Sequence, residues 1–166
     1  MFDLVNGIPV HPLVVHAIVV LLPLTALGTL AIAAVPRWRV TYGPLVVASG
    51  LLSVVLLPVA TSSGEELEER VGDVGEHAEL GETLIWFAIP LLVLVTALVW
   101  LSRRHVRSVP DATDPAPTQA VGRSKTVATV VAALAVLVAL ATSVQVYRVG
   151  DSGAQAVWED ASSSTS

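Results

Sequence analysis

Four stretches without a charged side chain, residues 4–36, 40–64, 83–102 and 126–147, constrain this chain more than any other feature. Each reaches the roughly 18 to 20 apolar residues that a helix needs to cross about 30 Å of hydrocarbon. Inside lipid every backbone amide must be paired within its own segment or in a closed barrel, and runs this long and unalternating exclude barrel strands. The expected fold is therefore all-α: an integral membrane four-helix bundle with up-down topology. It forms one domain, residues 1–160, with spans near 13–35, 44–60, 83–101 and 127–146. The Ser-rich residues 161–166 are expected to be a disordered tail. The two helical hairpins share neither a motif nor a loop length, so no internal repeat is expected.

Composition agrees and removes several chemistries. Hydrophobic residues make up 54% of the 166 and charged residues only 14%, where about a quarter is usual in soluble domains. The chain has no cysteine, which excludes disulfides, thiolate metal sites, iron–sulfur clusters, covalently attached c-type haem and a cysteine nucleophile. A metal could be held only by histidine, carboxylate or backbone. The net charge of −5 argues against nucleic acid as a partner. The lipid bilayer is the partner the sequence names, and a homo-oligomer is left open.

The cations set an orientation. Arg37 and Arg39 separate the first two spans, and Arg103, Arg104, Arg107, Arg123 and Lys125 separate the last two. The other side carries Arg70 and Arg148. By the positive-inside rule both termini lie on the extracytoplasmic side of a multi-pass protein of a bacterial plasma membrane. The start, Met1-Phe2-Asp3-Leu4, lacks a cationic n-region, so the first span is expected to be retained rather than cleaved. Residues 103–125, with Pro110, Pro115 and Pro117, read as a flexible cytoplasmic loop. Residues 61–82 form an acidic outer loop with partial helical spacing around Glu65 to Arg70.

Three of the four histidines belong to the outer side. His11 and His16 open helix 1 in Gly7-Ile8-Pro9-Val10-His11-Pro12-Leu13-Val14-Val15-His16, and His77 precedes helix 3. Pro12 suits a first helical turn, which places His11 at the cap and His16 about one turn inside. A polar ring among apolar neighbours is expensive in hydrocarbon unless it faces the bundle interior and has a partner, so His16 is expected to point inward. His77, Gly81, Leu84 and Ala88 recur at helical spacing in one stripe. Either His16 or His11 is expected to meet His77. His105, among arginines, reads as a solvated or headgroup-facing residue. On helix 4, Ala128, Ala132, Ala135, Ala139 and Thr142 form a stripe of small side chains suited to close helix contact. Beyond it, Asp151 is expected to cap a short interfacial helix, with Tyr147 and Trp158 in the aromatic belt.

Gly-x-Pro-x-His-Pro-x-x-x-His at the first of four helices, a histidine before helix 3 and the closing Arg-x-Gly-x-Ser-Gly-Ala-x-Ala-x-Trp together resemble the bacterial membrane family catalogued as domain of unknown function 2231. Pro9, His11, Pro12 and His16 carry the most specific part. Some relatives of that family carry this module beside a Rieske iron–sulfur domain, so the resemblance implies redox chemistry and a Rieske-type or quinone-linked partner. Many members have histidine where this chain has Asp151. If that histidine is a ligand in them, the site here differs.

The preferred expectation is a b-type haem-binding membrane protein with an electron-transfer role. Bis-imidazole ligation needs two histidines, His16 or His11 with His77, and cations near the propionates, Arg148 or Arg70. Glu76, Glu79 or Glu82 could orient the ligands. The alternatives are a zinc or copper site built from His11, His16 and His77 with a carboxylate, or a cofactor-free structural or assembly subunit or small permease. No catalytic constellation is visible, so an electron-transfer component is expected over a stand-alone enzyme.

Overall fold

The computed structural model describes the backbone of residues 4–5, 8–71, 76–107 and 118–163, with side-chain surroundings for residues 11–66, 77–104 and 125–155. Strands β1 (Leu4–Val5) and β2 (Ile8–Pro9) pair antiparallel, Leu4 opposite Pro9 and Val5 opposite Ile8. Six helices follow: α1 (Val10–Ala34), α2 (Trp38–Thr41), α3 (Gly43–Val71), α4 (Glu76–Thr83), α5 (Ile85–Arg107) and α6 (Thr118–Ser163). Four stretches are long and apolar enough to cross a membrane: His11–Ala34, Gly43–Glu66, His77–Arg104 and Lys125–Gln155. The all-α four-helix membrane bundle is therefore present.

The helices outrun the apolar spans. α3 continues to Val71 through the acidic segment, and α5 and α6 extend into the expected cytoplasmic loop from both sides. The rest of that loop, residues 108–117, lies outside the described residues. α6 also passes through Asp151 without a break and reaches Ser163, so no separate interfacial helix starts there. Asp151 instead accepts from the Gln155 amide at 2.9 Å one turn on. Of the expected tail, residues 164–166 lie outside the described residues.

The long helices form a square. α1 packs against α3 and α6, and α5 packs against the same two, with α1 and α5 on one diagonal. α1 and the α4–α5 pair therefore begin at one end of the bundle, the histidine end, and α2 lies at the other, the arginine end. Two apolar clusters fill the square. One, toward the histidines, includes Ile18, Leu22, Leu57, Leu84, Ala88, Leu91 and Ala139. The second, toward the arginines, includes Ile32, Val46, Val95, Leu98, Val99 and Ala132. The small stripe on α6 faces inward as expected: Ala132, Ala135, Ala139 and Thr142 are buried.

In lipid, where hydrocarbon solvates apolar surface as well as another helix does, close approach and hydroxyl bonding hold helices together. The α1–α3 contact uses both. Leu21's carbonyl accepts from the Thr25 and Ser49 hydroxyls at 2.8 and 3.1 Å, and these hydroxyls lie 2.9 Å apart. Gly28 lets Val46 approach so near that an added Cβ would sit 2.8 Å from it.

At the arginine end Arg39 closes α1. Its Nε donates to the Ile32 carbonyl at 2.8 Å and its terminal nitrogen to Ala33 at 3.0 Å. These are among the last carbonyls of α1, which have no helical donor, and the cation opposes the negative end of the helix dipole. Burial pulls the guanidinium pKa below its usual value, yet arginine remains charged.

The join between α4 and α5 has a local cause. Leu80's carbonyl accepts the Thr83 hydroxyl at 2.7 Å and lies 3.4 Å from the Gln145 amide. Leu84's amide turns instead to Gly81, at 3.2 Å, which tightens the helix by one step there. Of the predicted stripe, Leu84 and Ala88 are buried, whereas Gly81 makes no close helix contact, an added Cβ there meeting nothing within 4 Å.

Candidate functional site

The histidine end is built from α1 and α4, each meeting the last turns of the helix that follows it in its own hairpin. His11 is half-buried, and its Nδ1 lies 3.0 Å from the Ala60 carbonyl and 3.3 Å from the Ser63 hydroxyl on α3. Ser63 donates to that same carbonyl at 3.1 Å. The ring lies over Gly64, where an added Cβ would come within 3.0 Å of His11 Cε1. His77, also half-buried, repeats this on α6. Its Nδ1 lies 3.1 Å from the Val149 carbonyl and 3.4 Å from the Ser152 hydroxyl, Ser152 donates to Val149 at 3.0 Å, and the ring covers Gly153.

These contacts fix the tautomer. A carbonyl oxygen only accepts, so Nδ1 carries the proton in both rings and, in the neutral form, Nε2 keeps its lone pair. That is the arrangement found for histidines that bind metals, whose second nitrogen is oriented by a carbonyl or carboxylate. Of the expected orienting acids Glu79 and Glu82 are exposed, and backbone carbonyls of the neighbouring helix hold both rings at Nδ1.

His16 does not point into the bundle. It is exposed, and its Nδ1 bonds the Pro12 carbonyl one turn back on its own helix, so the ring is satisfied locally and can face outward. Arg148 is exposed at the histidine end. The side chains of Arg70, Glu76, His105 and Trp158 lie outside the described residues. No three histidine or acidic side chains come together among the described residues, so His11, His16, His77 and a carboxylate are not gathered there into one cluster.

Five residues that sequence reasoning left without a role shape this end: Ser63, Gly64, Ser152, Gly153 and Gln145. The signal for four of them was present as a Ser-Gly pair near the end of each hairpin's second helix. Gln145 is buried and donates to Thr83 at 2.7 Å, tying α6 to α4 just below His77.

A bundle of four apolar helices with two imidazoles at one end defines a polytopic membrane protein with a histidine-bearing mouth. The chain belongs to the family described as Predicted membrane protein (DUF2231), which it matches over residues 7–165. No curated protein and no solved structure matches it significantly.

Proposed function

We propose that this protein binds b-type haem at the histidine end and passes electrons at the membrane surface, with His11 and His77 as the axial ligands through Nε2. The observation that carries this reading is the matched Nδ1 hydrogen bond on each ring, which leaves both Nε2 lone pairs available. Low-spin haem iron takes two such donors, and the cation for a propionate would be Arg148, which lies at this end. His16 has no part in it, because it faces away from the bundle.

The test is the absorption spectrum of protein purified from haem-replete cells, oxidised and then reduced. A Soret band with the sharp reduced bands of low-spin haem is expected. His11→Ala and His77→Ala should each abolish it, and His16→Ala should leave it intact. A colourless protein, or both ligand variants keeping the wild-type spectrum, overturns the reading. One observation favours a second reading, a cofactor-free assembly or structural subunit: each ring already fills the space over a glycine. Colourless protein whose stability falls on His11→Ala or His77→Ala would support it.

The same proposal puts the histidine end outside the cytoplasm of a bacterial plasma membrane, facing a Rieske-type or quinone-linked partner. Its support is the placement of Arg37, Arg39, Arg103 and Arg104 at the opposite end, where cytoplasmic loops collect cations. The native chain has no cysteine, so single cysteines report cleanly. A membrane-impermeant thiol reagent on intact cells should label Ser163→Cys and spare Thr113→Cys. The reverse pattern would show the bundle inverted.

A further inference from the structure

We infer that the chain is a tandem repeat of one helical hairpin, residues 11–64 and 77–153, and that His11 and His77 are its two equivalent imidazoles on either side of the bundle's long axis. The histidine contacts carry this first. In each repeat a half-buried ring at the start of the first helix shares a carbonyl with a serine three residues further along the second helix, and covers the glycine after that serine. His11, Ala60, Ser63 and Gly64 thus correspond to His77, Val149, Ser152 and Gly153.

The packing register extends the match through the membrane. Counting from the two histidines at one constant offset, five of the six buried residues of α1, Ile18, Leu22, Thr25, Thr29 and Ile32, fall on Leu84, Ala88, Leu91, Val95 and Leu98, all buried, and the sixth, Ala26, falls on the half-buried Leu92. Counting back from the two carbonyls, Gly43, Val46, Gly50 and Ser53 of α3 fall on Ala132, Ala135, Ala139 and Thr142 of α6, all buried, while buried Leu57 and Ala60 fall on the half-buried Val146 and Val149. The first helices of the two repeats occupy one diagonal of the square and contact the second helices of both. That is the arrangement a two-fold axis along the bundle produces. The expectation of no internal repeat is corrected accordingly: the loops differ, and the repeat lies in the helices.

The symmetry deepens the haem reading and rests on it in one respect, the ligand's identity. Two equivalent imidazoles would hold a ligand with two equivalent faces, such as a haem, so each histidine should contribute equally to its binding. Ser63, Gly64, Ser152 and Gly153 are the positioning residues.

The experiment is a set of double-mutant cycles read by thermal unfolding in detergent, on protein without added haem, followed by hemin titration. Gly64→Ala and Gly153→Ala should each lower the midpoint by roughly 2–8 °C. Gly81→Ala and Gly150→Ala, whose added methyls meet nothing within 4 Å, should not lower it. His11→Ala should remove the effect of Gly64→Ala and leave that of Gly153→Ala, and His77→Ala the converse. Coupling in one hairpin only, or coupling across the two, overturns the repeat. In the titration, His11→Ala and His77→Ala should lose hemin affinity by the same factor, and unequal losses would overturn the equivalence. Matched cycles with no hemin binding leave the repeat standing and remove the haem reading, whereas hemin binding without matched cycles does the opposite.

Discussion

Protein carrying Ala135→Leu should lose its folded bundle in detergent at temperatures where the unaltered protein is intact. Ala135 has no exposed surface and sits on the inward stripe of α6 between Ala132 and Ala139. The helices approach over this stripe because its side chains end at a methyl group. Three further carbons must displace the side chains packed around this buried position, and overpacking of a core costs about 1–3 kcal/mol, sometimes more. A neighbouring helix gains nothing by moving away to make room, because the close contact itself is what holds the pair together in lipid. Val130→Leu is the matched control, since Val130 is half-exposed to the surroundings of the bundle. Val131 would be a poor one, as it packs against the second cluster. Unfolding midpoints that fall equally for Ala135→Leu and Val130→Leu would show that the stripe is not an interface.

Gly43→Ala should be nearly as damaging, although it adds a single carbon. Gly43 opens α3 directly against Val99 of α5, and an added Cβ would meet the Val99 Cγ2 in overlap, with Cγ1 at 3.1 Å and the Val99 Cβ at 3.3 Å. Valine in a helix is held in one rotamer, and Val99 is buried, so the side chain cannot swing away. The backbones of α3 and α5 must separate instead, at a cost of about 1–3 kcal/mol. The Gly43→Ala/Val99→Ala double variant restores the space. Its midpoint should rise above that of Gly43→Ala alone, and failure to do so would place the damage elsewhere.

Much of the architecture could be read directly from charge and spacing. Four uncharged windows sufficed for the bundle, the spacing of Ala132, Ala135, Ala139 and Thr142 for the inner face of α6, and Leu84 with Ala88 for the buried side of the α4–α5 join and of α5. Helix ends were less legible, because a helix leaving the membrane keeps its hydrogen bonds after its side chains turn polar: α3 runs on through Glu65 and Glu66. His16 misled because its cost in an apolar segment was charged to the bundle, whereas a carbonyl one turn back satisfies the ring. The inferred repeat leaves few markers in the sequence. Apolar positions tolerate Leu22 in one hairpin where the other has Ala88, or Thr29 where it has Val95, without altering the packing register, so beyond scattered apolar identities such as Leu51 with Leu140 only one histidine and one Ser-Gly pair in each hairpin are alike.

Tyr147 is 72% exposed and lies two residues before Val149, whose carbonyl holds His77. Exposed tyrosines on membrane helices settle at the level of the lipid headgroups, so this one gauges depth. His77, held at Val149, is then expected near the headgroup level. A water-soluble spin relaxer should accordingly broaden a nitroxide placed at Gly150 more than one at Leu137. The apolar square would then be a stem that sets the histidine end at one surface of the bilayer.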